Sequence, residues 1–265
     1  MKKDSNRQKL SELLAVWPKG VVATPPWLEQ QGVSRDLVRK YHRSGWVRRL
    51  ERGAYGRLDD AVEWTGALHA LQYQLKLPVH LGAKRALEAQ GYGHYARQRE
   101  GGRLRLYAAR GTRLPAWFLR HDWGVKLSFT AADLFRGKMD AGLTERPFGD
   151  FSLRLSAAER AMLEALEDVP RLQSFEEARL FMGGLPTLRP ELVQELLEAC
   201  RSVKAKRLFL FLAQEAEHAW VKELDLSKID LGKGKRSIVK GGRFDAQYQI
   251  TVEPNPDASV VREGP

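Results

Sequence analysis

One stretch constrains this chain more than any other: Ser34–Ser44, SRDLVRKYHRS, closed by Gly45. It reads as a single short helix. Ser34 brings the side-chain oxygen of an N-cap, and Gly45 stands where a left-handed residue ends a helix. Leu37, Val38 and Tyr41 form a narrow apolar stripe. Asp36, Arg39, Lys40 and Arg43 recur at helical spacing on the opposite side, with Arg35 and His42 beside them. Taken alone, such a helix is either a solvated surface element or one that lies in a DNA major groove.

Its neighbours favour the groove. Lys9–Trp17 repeats Leu10, Leu13, Leu14 and Trp17 on one helical face before Pro18 and Gly20. Val21–Ala23 is β-prone, and Thr24 is expected to cap a second helix that opens at Pro25 and Pro26 and stops at Gly32. After Gly45, Trp46–Arg52 and Ala54–Leu58 form two strands about a turn at Gly53. Helix, short strand, helix, helix, hairpin is the order of a winged helix-turn-helix. In that arrangement Arg35, Asp36 and Arg39, near the head of the helix that Ser34 caps, reach base edges. Lys40, Arg43, Arg48 and Arg49 are expected on phosphates, with Arg52, Gly53 and Arg57 in the wing.

Charge points the same way. The chain carries a net +11, and residues 1–60 and 61–150 each hold +6 while residues 151–265 hold −1. A positive field confined to the half with the basic helix favours polyanions. A single cysteine, Cys200, excludes an intrachain disulfide framework, and no apolar run reaches the length of a membrane span. A cytoplasmic protein is expected.

Residues 7–58 resemble the N-terminal domain of the AbiEi family, the antitoxin and transcriptional-regulator half of abortive-infection, type IV toxin–antitoxin systems. The resemblance rests on an opening helix ending in WPKG and on the block WLEQQGVSRDLVRKYHRSGWVRRLERGAYGR, with GVS, SGW and RGAY in that order. The later KAKRLFLFLA and GKRSIVKGG segments are similar to longer members. The resemblance implies repression of the chain's own operon through double-stranded operator DNA, in inverted repeats. It also implies antagonism of a nucleotidyltransferase-like toxin by the larger remainder, without requiring a stable complex with that toxin.

The fold class expected is α+β: a winged helix over 1–60, a mixed α/β region over 61–150, and a helical part over 151–265 ending in a β-hairpin. Residues 61–265 form either one antitoxin domain or two. Helices are expected at Trp64–Leu75 and Leu81–Gln90, and strands at Arg103–Ala109, Ala116–Arg120 and Gly124–Thr130. Gly137–Gly149 reads as a polar boundary. Ser156 with Glu159, and Ser174 with Glu177, read as capping boxes. Ile229–Leu231 and Gln247–Val252 are expected as the closing strands, and the tail from Pro254 is expected to fray.

A second basic surface is suggested by Lys204, Lys206 and Arg207 together with Lys233, Lys235, Arg236, Lys240 and Arg243 of the loop Gly232–Arg243. That loop does not match the phosphate-binding G-x-x-x-x-G-K-[ST]. The six histidines show no metal-ligand spacing. No catalytic residue, metal ligand or cofactor is therefore assigned. A winged-helix-targeted nuclease and an RNA-binding regulator stand as the competing readings.

Overall fold

The computed structural model describes residues 2–93, 103–137 and 140–254, with the side chains of residues 2–7 excepted. The tail expected to fray lies outside the described residues. Helix α1 (Lys2–Val16) buries Leu10 and Leu13, and Trp17 follows directly with 1% exposure. Helices α2 (Pro25–Gln30) and α3 (Arg35–Arg43) come next, then the antiparallel hairpin β1 (Val47–Glu51) and β2 (Ala54–Arg57). Leu28, Val33, Leu37, Val38, Tyr41 and Val47 close a core on Leu10, Leu13 and Trp17, with Phe151 packed against it. Each such side chain contributes about 1.5–3 kcal/mol by leaving water.

Thr24 precedes α2, but its side chain makes no cap hydrogen bond. Its hydroxyl is taken instead by Gln74, at 3.0 Å. Gln74 lies in a π-helical turn, Ala70–Gln74, that extends α4 (Trp64–His69), so the helix expected over Trp64–Leu75 changes pitch midway. The wider turn places Gln72 and Gln74 both inward. Gln72 Nε2 donates to the carbonyls of Val79 and Arg154, and its Oε1 accepts from Arg154 N–H, all at 2.8–2.9 Å. It thereby ties the helix to strands β3 (Val79–Leu81) and β7 (Phe151–Ser156).

The sheet has five strands in the order β5-β4-β3-β7-β6. Strand β4 (Arg103–Ala108) runs antiparallel to β3 and parallel to β5 (Lys126–Ala131), and β7 is parallel to β3. Strand β6 (Leu143–Phe148) occupies the stretch expected as a polar boundary. Its exposed middle and its Pro147 suit an edge position, where an N–H need not enter a ladder. Ala116–Arg120, expected as a strand, is a short helix that starts behind Pro115. Trp117 and Phe118 are buried side by side, which a strand's alternation would not allow.

Helix α5 (Ala83–Ala89) and the later helices α7 (Ala158–Asp168), α8 (Phe175–Gly183), α9 (Pro190–Ala199) and α10 (Val203–Glu215) complete the α-helices among the described residues, with Ala116–Arg120 as α6. Ser174 Oγ accepts from Glu177 N–H at 3.1 Å and caps α8, but the Glu177 carboxylate goes to Lys84 and Gln173, so only half of the expected box forms. Ser156 does not cap α7. Its hydroxyl donates to the buried Glu164 at 2.8 Å, and Glu159 is drawn away by Arg189. The last described segment is a three-stranded sheet, β8 (Arg236–Ser237), β10 (Ile250–Val252) and β9 (Arg243–Asp245) in that order, and Ile229–Leu231 is not a strand.

Contacts divide the chain into two compact units interleaved along the sequence. One gathers residues 1–81, 100–132 and 145–155; the other gathers 82–99, 133–144 and 156–265. Within the first unit the winged helix shares buried hydrogen bonds with the turn carrying Gln74.

Candidate nucleic-acid interface

The interface begins with the cap on α3. Ser34 Oγ accepts from Leu37 N–H at 3.4 Å, and Gly45 leaves the helix at φ 75°. Asp36 sits in the first turn and Lys40, His42 and Arg43 in the last, each sign complementing the helix dipole. Because Leu37, Val38 and Tyr41 are buried, the cationic side of α3 faces water. Burial also raises the Tyr41 hydroxyl above its ordinary pKa.

The two arginines expected at base edges are exposed and lightly held. Arg35 Nε lies 3.1 Å from Glu29, and Arg39 Nη1 lies 3.1 Å from Asp36, with side-chain exposures of 79% and 71% for the arginines. Solvated pairs of this kind are worth about 0–1 kcal/mol, so a phosphate or guanine edge can displace the carboxylate. Between these helices and the hairpin runs a cleft of about 250 Å³, lined by Glu29, Arg35, Arg39, Arg52 and Tyr55 among others. Lys40, Arg43 and Arg52 are exposed and make no ion pair among the described residues. Arg49 is exposed too, with Nε 3.4 Å from the Glu51 carbonyl. Gly53 turns the hairpin at φ 94° beside Trp117, an approach to the wing tip that the sequence does not announce.

Two expected contacts are turned inward, and this corrects the sequence reading. The Arg57 guanidinium donates to the Leu14 and Trp17 carbonyls, capping the end of α1, and its Nε lies 4.0 Å from Asp60. Arg48 Nη2 donates to the Asp60 carbonyl at 2.7 Å. Asp60 Oδ2 in turn accepts from Gly20 N–H at 2.8 Å. The acid that looked like a junction residue therefore organises both arginines. His42 Nδ1 lies 2.9 Å from the Val47 carbonyl, which fixes its ring against the hairpin.

The second basic surface is also divided. Lys206 and Arg207 are each 3% exposed and belong to the interior of α10. Lys204 Nζ donates to the Glu167 and Val169 carbonyls, and burial lowers its pKa although Glu167 opposes that shift. Lys233, Lys235, Arg236, Lys240 and Arg243 remain exposed. Among the described residues, no three His, Cys, Asp or Glu side chains gather so as to hold a metal ion, and no helix is long and apolar enough to cross a membrane.

Comparison with known proteins bears on this geometry. The crystal structure of the RV2827C protein from Mycobacterium tuberculosis matches with a TM-score of 0.62 over 93% of this chain and 90% of that one, at 17% identity. At that identity the likeness is one of fold. No curated protein matches. Residues 6–98 match the family model for the N-terminal domain of the AbiEi antitoxin, a transcriptional regulator, and residues 102–253 match the model for the AbiEi antitoxin of type IV toxin–antitoxin systems. The exposed basic helix and its hairpin lie within the first match, and the two matches together span nearly all of the described chain. The chain belongs to the AbiEi family of transcriptional regulators, the antitoxins of type IV toxin–antitoxin systems.

Proposed function

We propose that this antitoxin represses its own operon by laying α3 in the major groove of operator DNA. Arg35 and Arg39 read base edges once they leave Glu29 and Asp36. Lys40 and Arg43 hold phosphates, and Arg49 and Arg52 carry the contact along the wing. Arg48 and Arg57 support the scaffold from behind. The observation that carries this reading is the outward cationic side of α3, continued across the cleft by Arg52. Repeated half-sites would seat two copies, and the protein would act in the cytoplasm where its promoter lies. The winged helix supplies the DNA-binding domain, and the region after residue 60 counteracts a nucleotidyltransferase-like toxin.

The test is binding to the chain's own upstream DNA against a scrambled duplex across a salt series, with Arg35→Ala and Arg39→Ala. Removing a base-reading arginine is expected to cost about 1–3 kcal/mol and to relax one position of the site. Lys40→Ala is expected to weaken every sequence alike and lower the salt slope by about one. Equal affinity of the native protein for both duplexes sinks the operator reading. Toxin antagonism is read separately, as growth rescue on co-expression with the neighbouring toxin gene from a foreign promoter.

A further inference from the structure

Arg207 is a buried cation whose hydrogen bonds shape a distant loop. Its Nε donates to the Leu231 carbonyl at 2.8 Å, Nη1 to Gly234 at 2.7 Å and Nη2 to Gly232 at 3.1 Å. The loop is also pressed close to its support. A Cβ on Gly232 would lie 2.8 Å from Val203, and one on Gly242 would lie 2.2 Å from the Val252 carbonyl. Residues 232–243 hold five Lys and Arg and no acid. All five are exposed, and none has an ion pair among the described residues. Like charges gathered on a pinned segment repel one another, with Arg207 beneath adding a sixth. The surrounding region, 151–265, carries a net −1, so the positive field is local to this loop.

The register gives the loop a flat outer face. Thr251 pairs with Ser237 on one side and Phe244 on the other, which puts these three side chains together. Ile250 and Val252 point to the buried side, with 0% and 1% exposure. Phe244 is 43% exposed, and Lys235 Nζ reaches over the sheet to 5.1 Å from its ring centre. Tyr248, at the foot of β10, donates to Gln214 at 2.9 Å and anchors the sheet to α10.

We infer that the outer face of β8, β10 and β9 binds a single-stranded polynucleotide, with a base stacked on Phe244 and phosphates held by Lys235 and Lys240; Arg236 and Arg243 pair with Ile250 and Val252 and so belong to the other face. The exposed ring selects this ligand class. A duplex keeps its base faces stacked inside, and an acidic polypeptide satisfies the cations but has no use for a ring presented among them. An open aromatic beside cations on a sheet matches the way single strands are held, through stacking and backbone charge. This site is separate from the duplex-reading helix and does not depend on it.

The experiment uses the full chain, with fluorescence anisotropy on mixed-sequence 12-nucleotide RNA and DNA single strands and with poly-glutamate as competitor. Phe244→Ala is expected to weaken single-strand binding by roughly 5- to 150-fold, the range for loss of one stacked base. Lys235→Gln with Lys240→Gln is expected to flatten the salt dependence. Phe244→Ala should leave operator-duplex binding and the unfolding midpoint unchanged, which separates lost stacking from lost folding. A preference for RNA or for DNA identifies the source, and either supports the assignment. The inference is overturned if Phe244→Ala binds single strands as the native protein does. It is equally overturned if poly-glutamate displaces the strand at equal charge, or if Arg39→Ala removes single-strand binding.

Discussion

Gln74 holds both donors of Thr24: its Oε1 accepts from the Thr24 N–H at 2.9 Å and from the Thr24 hydroxyl at 3.0 Å, while its Nε2 donates to the Val22 carbonyl at 2.7 Å. The groups involved are buried on both sides. Gln74→Leu would leave two donors and an acceptor without partners in a dry site, an expected loss of about 3 kcal/mol. Urea unfolding reads this directly, and a variant within about 0.5 kcal/mol of the native protein would refute the role.

Gly66 makes a harder contact in the same region. A Cβ there would sit 1.8 Å from the Gly20 carbonyl oxygen and 2.7 Å from its carbon, both rigid backbone. Gly66→Ala must push α4 away from the segment before Val21, at an expected cost of about 3 kcal/mol. A drop in melting temperature with the circular dichroism spectrum retained is the expected observation.

Arg57 and Arg43 allow scaffold and proposed interface to be tested apart. Arg57→Ala removes the guanidinium from the α1 carbonyls, so stability should fall by about 1–3 kcal/mol while the salt slope of DNA binding stays as it was. Arg43→Ala should do the reverse, with an unchanged unfolding midpoint and a salt slope lower by about one. If both variants shift the salt slope equally, the inward placement of Arg57 is not the one that matters on DNA.

The pH dependence follows from Glu159. Burial alone would push its carboxyl up, but Arg189 outweighs it: the guanidinium donates to both oxygens at 2.9 and 3.1 Å and the Arg189 N–H donates at 3.1 Å, leaving the pKa below its ordinary 4.5. A carboxyl lowered on folding stabilises the native state above its unfolded pKa, and that contribution is lost as pH falls through the folded value. Glu159→Gln should therefore be less stable than the native protein at pH 7, and the gap should close as the medium is acidified below 4.5. Paired urea titrations at neutral and acid pH check the sign.

The parts of the fold that could be read in advance rest on local signals. Ser34, Gly45 and Gly53 each act within a few residues, through a cap, a left-handed stop and a turn, so α3 and its hairpin were legible. The resemblance to AbiEi regulators was legible for the same reason, since its motifs lie in that block. Motifs that compete with distant partners were not. The spacing of Ser156 and Glu159 is a sound capping box, yet Glu164 and Arg189 take their side chains. Trp117 and Phe118 sit in an apolar run too short to reveal its period, and β6 is polar because it is an edge. For Arg48 and Arg57 the misleading signal was charge itself. An arginine in a wing looks like a phosphate contact until Asp60 and the end of α1 are seen beside it.

Phe151 packs against the core of the winged helix, and β7, which carries it, pairs with β3. A ribosome making this protein therefore exposes the basic helix long before it supplies Phe151, the residue latest in the chain that packs on this core among the described residues. The core of the N-terminal helices thus takes in a side chain that is supplied only after more than half the polypeptide has been translated.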